Sequence, residues 1–228
     1  VDGNIVIHGE MIFDGATIYC KQLNVTGTLN GDDMIGQVGL PGTPVSYYGG
    51  ASHGGAGGDY VPSQQGSKII YGSISRPVLF GSPVTSLLKK GGGAVRVVAS
   101  VSVVVEQSGS ISANGGGGFV GDSQGGASGG SILIETPLLK VGGIISANGG
   151  DTATGHYSGG GGGGRIGIHT NSLVWLGNAS SDAKIVASGG RKIGTGTTYP
   201  GFPGTVFVNA SMLEDLIVPE GVTLNNLV

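Results

Sequence analysis

Cysteine occurs once, at Cys20, so no internal disulfide can form and the fold must close on packing and hydrogen bonds alone. Its strand-like neighbours Ile18, Tyr19 and Leu23 make Cys20 a lone buried thiol. Charge is scarce as well: Asp, Glu, Lys and Arg make up 11% of the chain, against about 25% in ordinary soluble domains. Only 11 residues are basic, the densest pair is Lys89-Lys90 and the net charge is −3, which removes the electrostatic footprint of a nucleic-acid binder. No apolar run approaches the about 20 residues of a membrane-spanning helix. A signal segment is not evident, and a chain starting at Val1 without Met reads as a processed protein or an excised segment. No segment carries a helical period of useful length. Several catalytic signatures are missing too: HExxH, HxH and the Lys-Ser/Thr that completes a phosphate-binding loop.

Glycine, by contrast, fills 50 of 228 positions. Disorder is nonetheless excluded, because the mean hydropathy is +0.21 and a chain this apolar and this poor in charge does not stay soluble unfolded. The apolar residues are rich in Val and Ile rather than Leu, which favours strands. A repeat organises them. Gly93-Ala-Val-Arg-Val-Val98 opens a unit that Ile111-Ser-Ala-Asn-Gly-Gly116 closes; Gly130–Glu135 and Ile145–Gly150 bound the next, and Gly164–His169 and Ile185–Gly190 the third. A fourth opens at Gly204–Asn209, and an early copy runs from Gly15–Cys20 to Thr28–Gly31. Three short strands per unit are expected, for example Ile132–Ile134, Leu138–Val141 and Ile144–Ala147. This predicts an all-β, single-stranded parallel β-helix (β-solenoid) of about 35–40 residues per rung with long Gly-rich loops. It is one domain over 1–228, with 34–92 a degenerate repeat or an insertion carrying a Gly-rich loop. Two inward columns are expected: Val95, Ile132, Ile166 and Val206, and beside them Val97, Ile134, Ile168 and Val208. Asn30, Asn114 and Asn148, with Ser188, are expected to form an interior turn ladder. The glycine stretches are either flexible, as such runs usually are, or packed side by side on the solenoid as extended, polyproline-II-like strands that no Cβ keeps apart.

The segments Gly91–Val97, Ile111–Gly116, Ile145–Gly150, Gly125–Ile132 and Tyr71–Ser82 resemble a glycine-rich repeat of large extracellular or cell-surface proteins of plants, protists and bacteria. The likeness covers residues 66–190 well and the two ends weakly. It implies a surface or secreted β-helical region and no catalytic residues.

Candidate site residues are few. Tyr47, Tyr48, His53, Tyr60, Phe119, His156, Tyr157, Tyr199 and Phe202 punctuate the glycine stretches, either as a second small core or as an aromatic face for a glycan or protein partner. Asn24, Asn178 and Asn209 head sequons, and Asn24 points outward between Leu23 and Val25. Asp33, Asp59, Asp122 and Asp151 lie in glycine loops, where turn capping is favoured over calcium binding. Glycoside hydrolysis needs paired carboxylates; no recurring strand face carries a pair, and Arg96 is expected to lack an acidic counterpart in neighbouring units.

The sequence therefore predicts a non-catalytic extracellular structural β-helix: a subunit of a fibre, stalk or surface assembly, with no metal, cofactor, nucleic acid or membrane span. Its partners would be copies of itself, stacked head to tail or as a longer array, since neither end carries a recognisable cap. The alternative is an adhesin that binds carbohydrate or a receptor through the loop aromatics; a polysaccharide lyase or hydrolase comes third.

Overall fold

The structure, a computed structural model, describes residues 3–36, 39–61, 63, 65–85, 89–117, 123–152, 158–176, 183–193, 199–210 and 223–224. Among these the fold is all-β. The strands are β1 (Asn4–Ile7), β2 (Glu10–Ile12), β3 (Gly15–Val25), β4 (Thr28–Asn30), β5 (Ala94–Val105), β6 (Ser110–Ser112), β7 (Ser131–Val141), β8 (Ile144–Ser146), β9 (Arg165–Trp175), β10 (Lys184–Val186), β11 (Thr205–Ala210) and β12 (Thr223–Leu224). The chain alternates between two six-stranded parallel sheets, one ordered β1-β3-β5-β7-β9-β11 and the other β12-β10-β8-β6-β4-β2.

Both predicted columns are present. Val95 pairs with Ile132, Ile132 with Ile166 and Ile166 with Val206; Val97, Ile134, Ile168 and Val208 are aligned in the same way. In the second sheet Leu29, Ile111, Ile145 and Ile185 stack in register, all fully buried. Residues of both sheets belong to one apolar core. Cys20 lies in it, and burial pushes its thiol above the ordinary value.

Three expectations need correction. Each unit has two strands, not three: what reads as a first and second strand is one long strand, continuous from Ser131 to Val141 in β7. The register slips between Cys20 and Gln22 and between Val98 and Ser102, where β5 carries an additional residue. The resulting bulge accommodates Pro137, which has no amide to donate to a ladder. The early copy is also shifted by one residue, since Gly15 pairs with Ala94 rather than Gly93. That shift turns Ile18 inward against Val97. Finally, Asn30 stands opposite Ser112, and Asp32 takes the ladder position assigned to it. Asn114 donates to both carboxylate oxygens of Asp32, through N (2.6 Å) and Nδ2 (3.1 Å). Asn114 Oδ1 accepts from Asn148 N (2.7 Å), and Asn148 Oδ1 from Ser188 N (2.9 Å). The ladder is half-buried rather than interior.

The units differ in what they do between the second sheet and the first. Two residues separate β2 from β3, and β1 and β2 precede their partners in β3 and β4 by only 18 residues. Later units make an excursion. Eighteen residues separate β6 from β7, β8 from β9 and β10 from β11, and 63 separate β4 from β5. The described residues among 31–93 add no strand to either sheet, and β3 lies directly beside β5 and β4 beside β6.

These excursions pack into a bundle of extended segments. An extended three-fold chain forms no hydrogen bonds within itself, so its amides must find other segments. In Gly159–Gly164 they point in three directions in turn. Gly159 and Gly162 donate to Tyr48 and Ala51, Gly160 and Gly163 to Tyr199 and Phe202, and Gly161 and Gly164 to Gly150 and Ala147, all at 2.7–2.9 Å. Glycine is needed here for its missing side chain rather than its backbone freedom. Of the described glycines only Gly39 and Gly72 have a left-handed φ, whereas a Cβ on Gly161 would overlap the Ala127 carbonyl and one on Gly190 the Gly150 carbonyl.

Candidate functional site

Residues 71–80 cross the outer face of the first sheet as a strap. Arg165 Nε of β9 donates to Tyr71 O (2.8 Å), His169 Nε2 to Ser75 O (2.6 Å) and Ser131 Oγ of β7 to Leu79 O (2.5 Å). Gly167 leaves room for Pro77, and Gly15 for the Phe80 ring. The strap explains why Leu133, on the outward side of β7, is 1% exposed.

Beside the strap runs an outward register line: Tyr19, Val98, Glu135, His169 and Asn209 on β3, β5, β7, β9 and β11. With the bend at Pro137 and Asn171 on the other side, it forms a trough of about 330 Å³. Glu135 is the only carboxylate in β5, β7, β9 and β11. It accepts from Arg96 Nε (2.5 Å) on the neighbouring strand and from Arg76 NH1 (2.8 Å) on the strap. Burial opposes its ionisation, but the hydrogen bonds and charges of Arg96 and then Arg76 outweigh it and hold the carboxyl below its ordinary value. The expectation that Arg96 lacks an acidic counterpart is thus corrected: Glu135 lies two residues beyond its register partner, Leu133. A signal was available, since Val98, Glu135, His169 and Asn209 all fall five residues after the opening glycine of their units.

The aromatic candidates separate into groups. Tyr47 and Tyr48 have ring centroids 3.9 Å apart, with Tyr60 5.7 Å from Tyr48. Tyr199 (53% exposed) and Phe202 (57%) project from another bundle segment, Lys68 Nζ lying 5.7 Å from the Phe202 ring. His53 belongs to neither group. It is fully buried against Tyr71, with ring centroids 4.6 Å apart, so it offers no face to a ligand. Nδ1 meets Gly129 O at 2.9 Å, while Nε2 is buried without a hydrogen-bond partner. Burial first, and then the Arg165 charge, lower the His53 pKa to about 4. Burial also pushes the Tyr71 phenol to about 12 and lowers the Arg165 guanidinium. Phe119, His156, Tyr157 and Asn178 lie outside the described residues.

Asn24 is half-buried between inward Leu23 and Val25, and Asn209 is exposed. Asp33, Asp59 and Asp151 accept the backbone amides of Lys90, Gly66 and Arg191, at 2.7, 2.8 and 2.6 Å. Asp122 lies outside the described residues. Compared with protein-family models, with curated proteins and with solved structures, the chain matches none.

Proposed function

We propose that the chain is a two-sheet parallel β-solenoid of about 35–40 residues per rung, serving as a structural, non-catalytic element of an extracellular fibre, stalk or surface assembly. The observation that carries the reading is the bundle. Stretches with the composition of flexible linkers are tied amide by amide into a rigid body along the sheets, which suits a load-bearing part. The likeness of the repeat to glycine-rich surface arrays supports the location. At the β1–β2 side Val6, Met11 and Ile12 are 49%, 44% and 61% exposed, an apolar surface that supports contact with another copy or with more of a longer array. Electron microscopy with light scattering on the isolated protein tests this. Head-to-tail stacks are expected; a strictly monomeric particle at all concentrations would refute the assembly.

The exposed rings of Tyr47, Tyr199 and Phe202 support a second reading, an adhesin. It predicts a monomer or closed oligomer that loses its ligand when those rings are removed.

A further inference from the structure

The trough is lined by residues of the first sheet, and the strap between β4 and β5 borders it through the bond from Arg76 to Glu135. Its floor includes Ala99, Glu135, Thr136 and His169, with Asn171 and Asn209 toward its rim. It crosses β5, β7, β9 and β11, a run of three strand spacings or about 14 Å. A site of that shape fits a chain lying across the strands better than a compact molecule.

Charge and chemistry narrow the occupant. Glu135, which lines the trough, is paired with two guanidiniums at its edge, so the charge around that point is net positive on a protein whose net charge is −3. Arg76 and Arg96 remain partly exposed, their side chains 59% and 35% accessible, so each can reach a further acceptor. The guanidinium fork matches a carboxylate in geometry. The other groups are those that bind hydroxyls: the Glu135 carboxylate, the Asn171 and Asn209 amides and the His169 imidazole, whose Nε2 is committed to Ser75 O. Aromatic rings stand at both ends of the strand series, Tyr19 on β3, 54% exposed, and Phe207 on β11, 5.7 Å from the His169 ring. Sugar rings stack on such surfaces with their apolar faces.

We propose that this trough binds an acidic polysaccharide strand, with Arg76 and Arg96 pairing its carboxylates and Glu135, His169 and Asn209 its hydroxyls. The site is separate from the bundle aromatics and does not depend on the assembly proposed above.

The test is calorimetric titration with oligogalacturonate and with the same oligosaccharide fully methyl-esterified, which keeps the sugars and removes the charge. A glycan on Asn209 would fill one end of the trough, so mass spectrometry must first show that residue unmodified. The acid form should bind at least tenfold more tightly than the ester. Arg76→Gln, at an exposed strap position, should weaken binding at least tenfold with only a small fall in melting temperature, since Arg96 still pairs with Glu135. Asn209→Ala should weaken it severalfold, and Phe202→Ala should leave it unchanged. The proposal fails if neither oligosaccharide binds, if acid and ester bind equally, or if Arg76→Gln and Asn209→Ala have no effect. Loss of binding in Phe202→Ala alone would move the site to the bundle and also overturn it.

Discussion

In the two sheets burial comes from side chains: Ile132, Ile134, Ile145 and Ile166 fill the space between strands and are themselves inaccessible. In the bundle it comes from having none, because the segments approach until carbonyls occupy the places where Cβ atoms would stand. The energetics differ accordingly. A buried Ile contributes about 2–3 kcal/mol by leaving water. A bundle glycine contributes a hydrogen bond of about 1 kcal/mol net, against about 1–2 kcal/mol of backbone entropy, a cost highest for glycine. The bundle therefore does not stand alone. Each 18-residue excursion is held at both ends by a strand, and the sheets supply the stability that the bundle uses.

The sharpest way to break this dependence is Ile134→Asp. An unpaired charge would enter a fully buried column at a cost of several kcal/mol. The expected outcome is loss of folding, with bundle and sheets disappearing together in circular dichroism and amide exchange. A bundle that kept its exchange protection would separate the two regions.

Gly161→Ala tests the other side. The added methyl meets the Ala127 backbone, which cannot swing aside like a side chain. Overpacking of this kind costs about 3 kcal/mol, readable as a shift in denaturant midpoint. Gly39→Ala is the contrast: space is open there but φ is 90°, and the strain is about 1–2 kcal/mol.

His53 sharpens the comparison at the junction of bundle, strap and first sheet. Its folded pKa of about 4 lies below the unfolded value of about 6.5. The unfolded state thus takes up the proton first as pH falls. The stability it contributes is intact above about pH 6.5 and lost progressively down to about pH 4, by about 3 kcal/mol in all. His53→Asn keeps a donor for Gly129 O and should flatten the urea-midpoint profile in that window. Identical profiles for both proteins would contradict the burial assigned to His53. Glu135, whose carboxyl is held low, adds its own loss at more acid pH.

The smallest effect is expected at Arg191, whose pair with Asp151 is 2.8 Å long but 81% exposed on the arginine side. Arg191→Ala should barely move the denaturant midpoint, and less still in high salt.

Much of the fold was legible because parallel stacking makes one unit's pattern recur in the next. The columns through Ile132 and Ile134 follow from alternation and from the opening glycine alone. The close packing of glycine segments was one of two readings open in the sequence, flexible linkers being the other, and the absence of Cβ is what allows it. What escaped the sequence depended on contacts between distant parts. The strap's cover over Leu133 and the Arg76–Glu135 pair join residues more than 50 positions apart across an irregular segment with no period to read; the burial of His53 under Tyr71, only 18 apart, still depends on a fold of that segment. The Asn30 misplacement arose because Thr28–Gly31 resembles the later closings in sequence while its register is set by Leu29 beneath Ile111.

The bundle gives part of the chain a reading frame. With three residues per turn, removing one residue from Gly159–Gly164 rotates every following amide by about a third of a turn, away from its acceptor and toward a neighbour's Cα. Removing three restores the phase and only shortens the segment. Length change in this molecule should accordingly be tolerated in triplets of amino acids within the bundle segments, and one residue at a time only where the chain passes between the sheets.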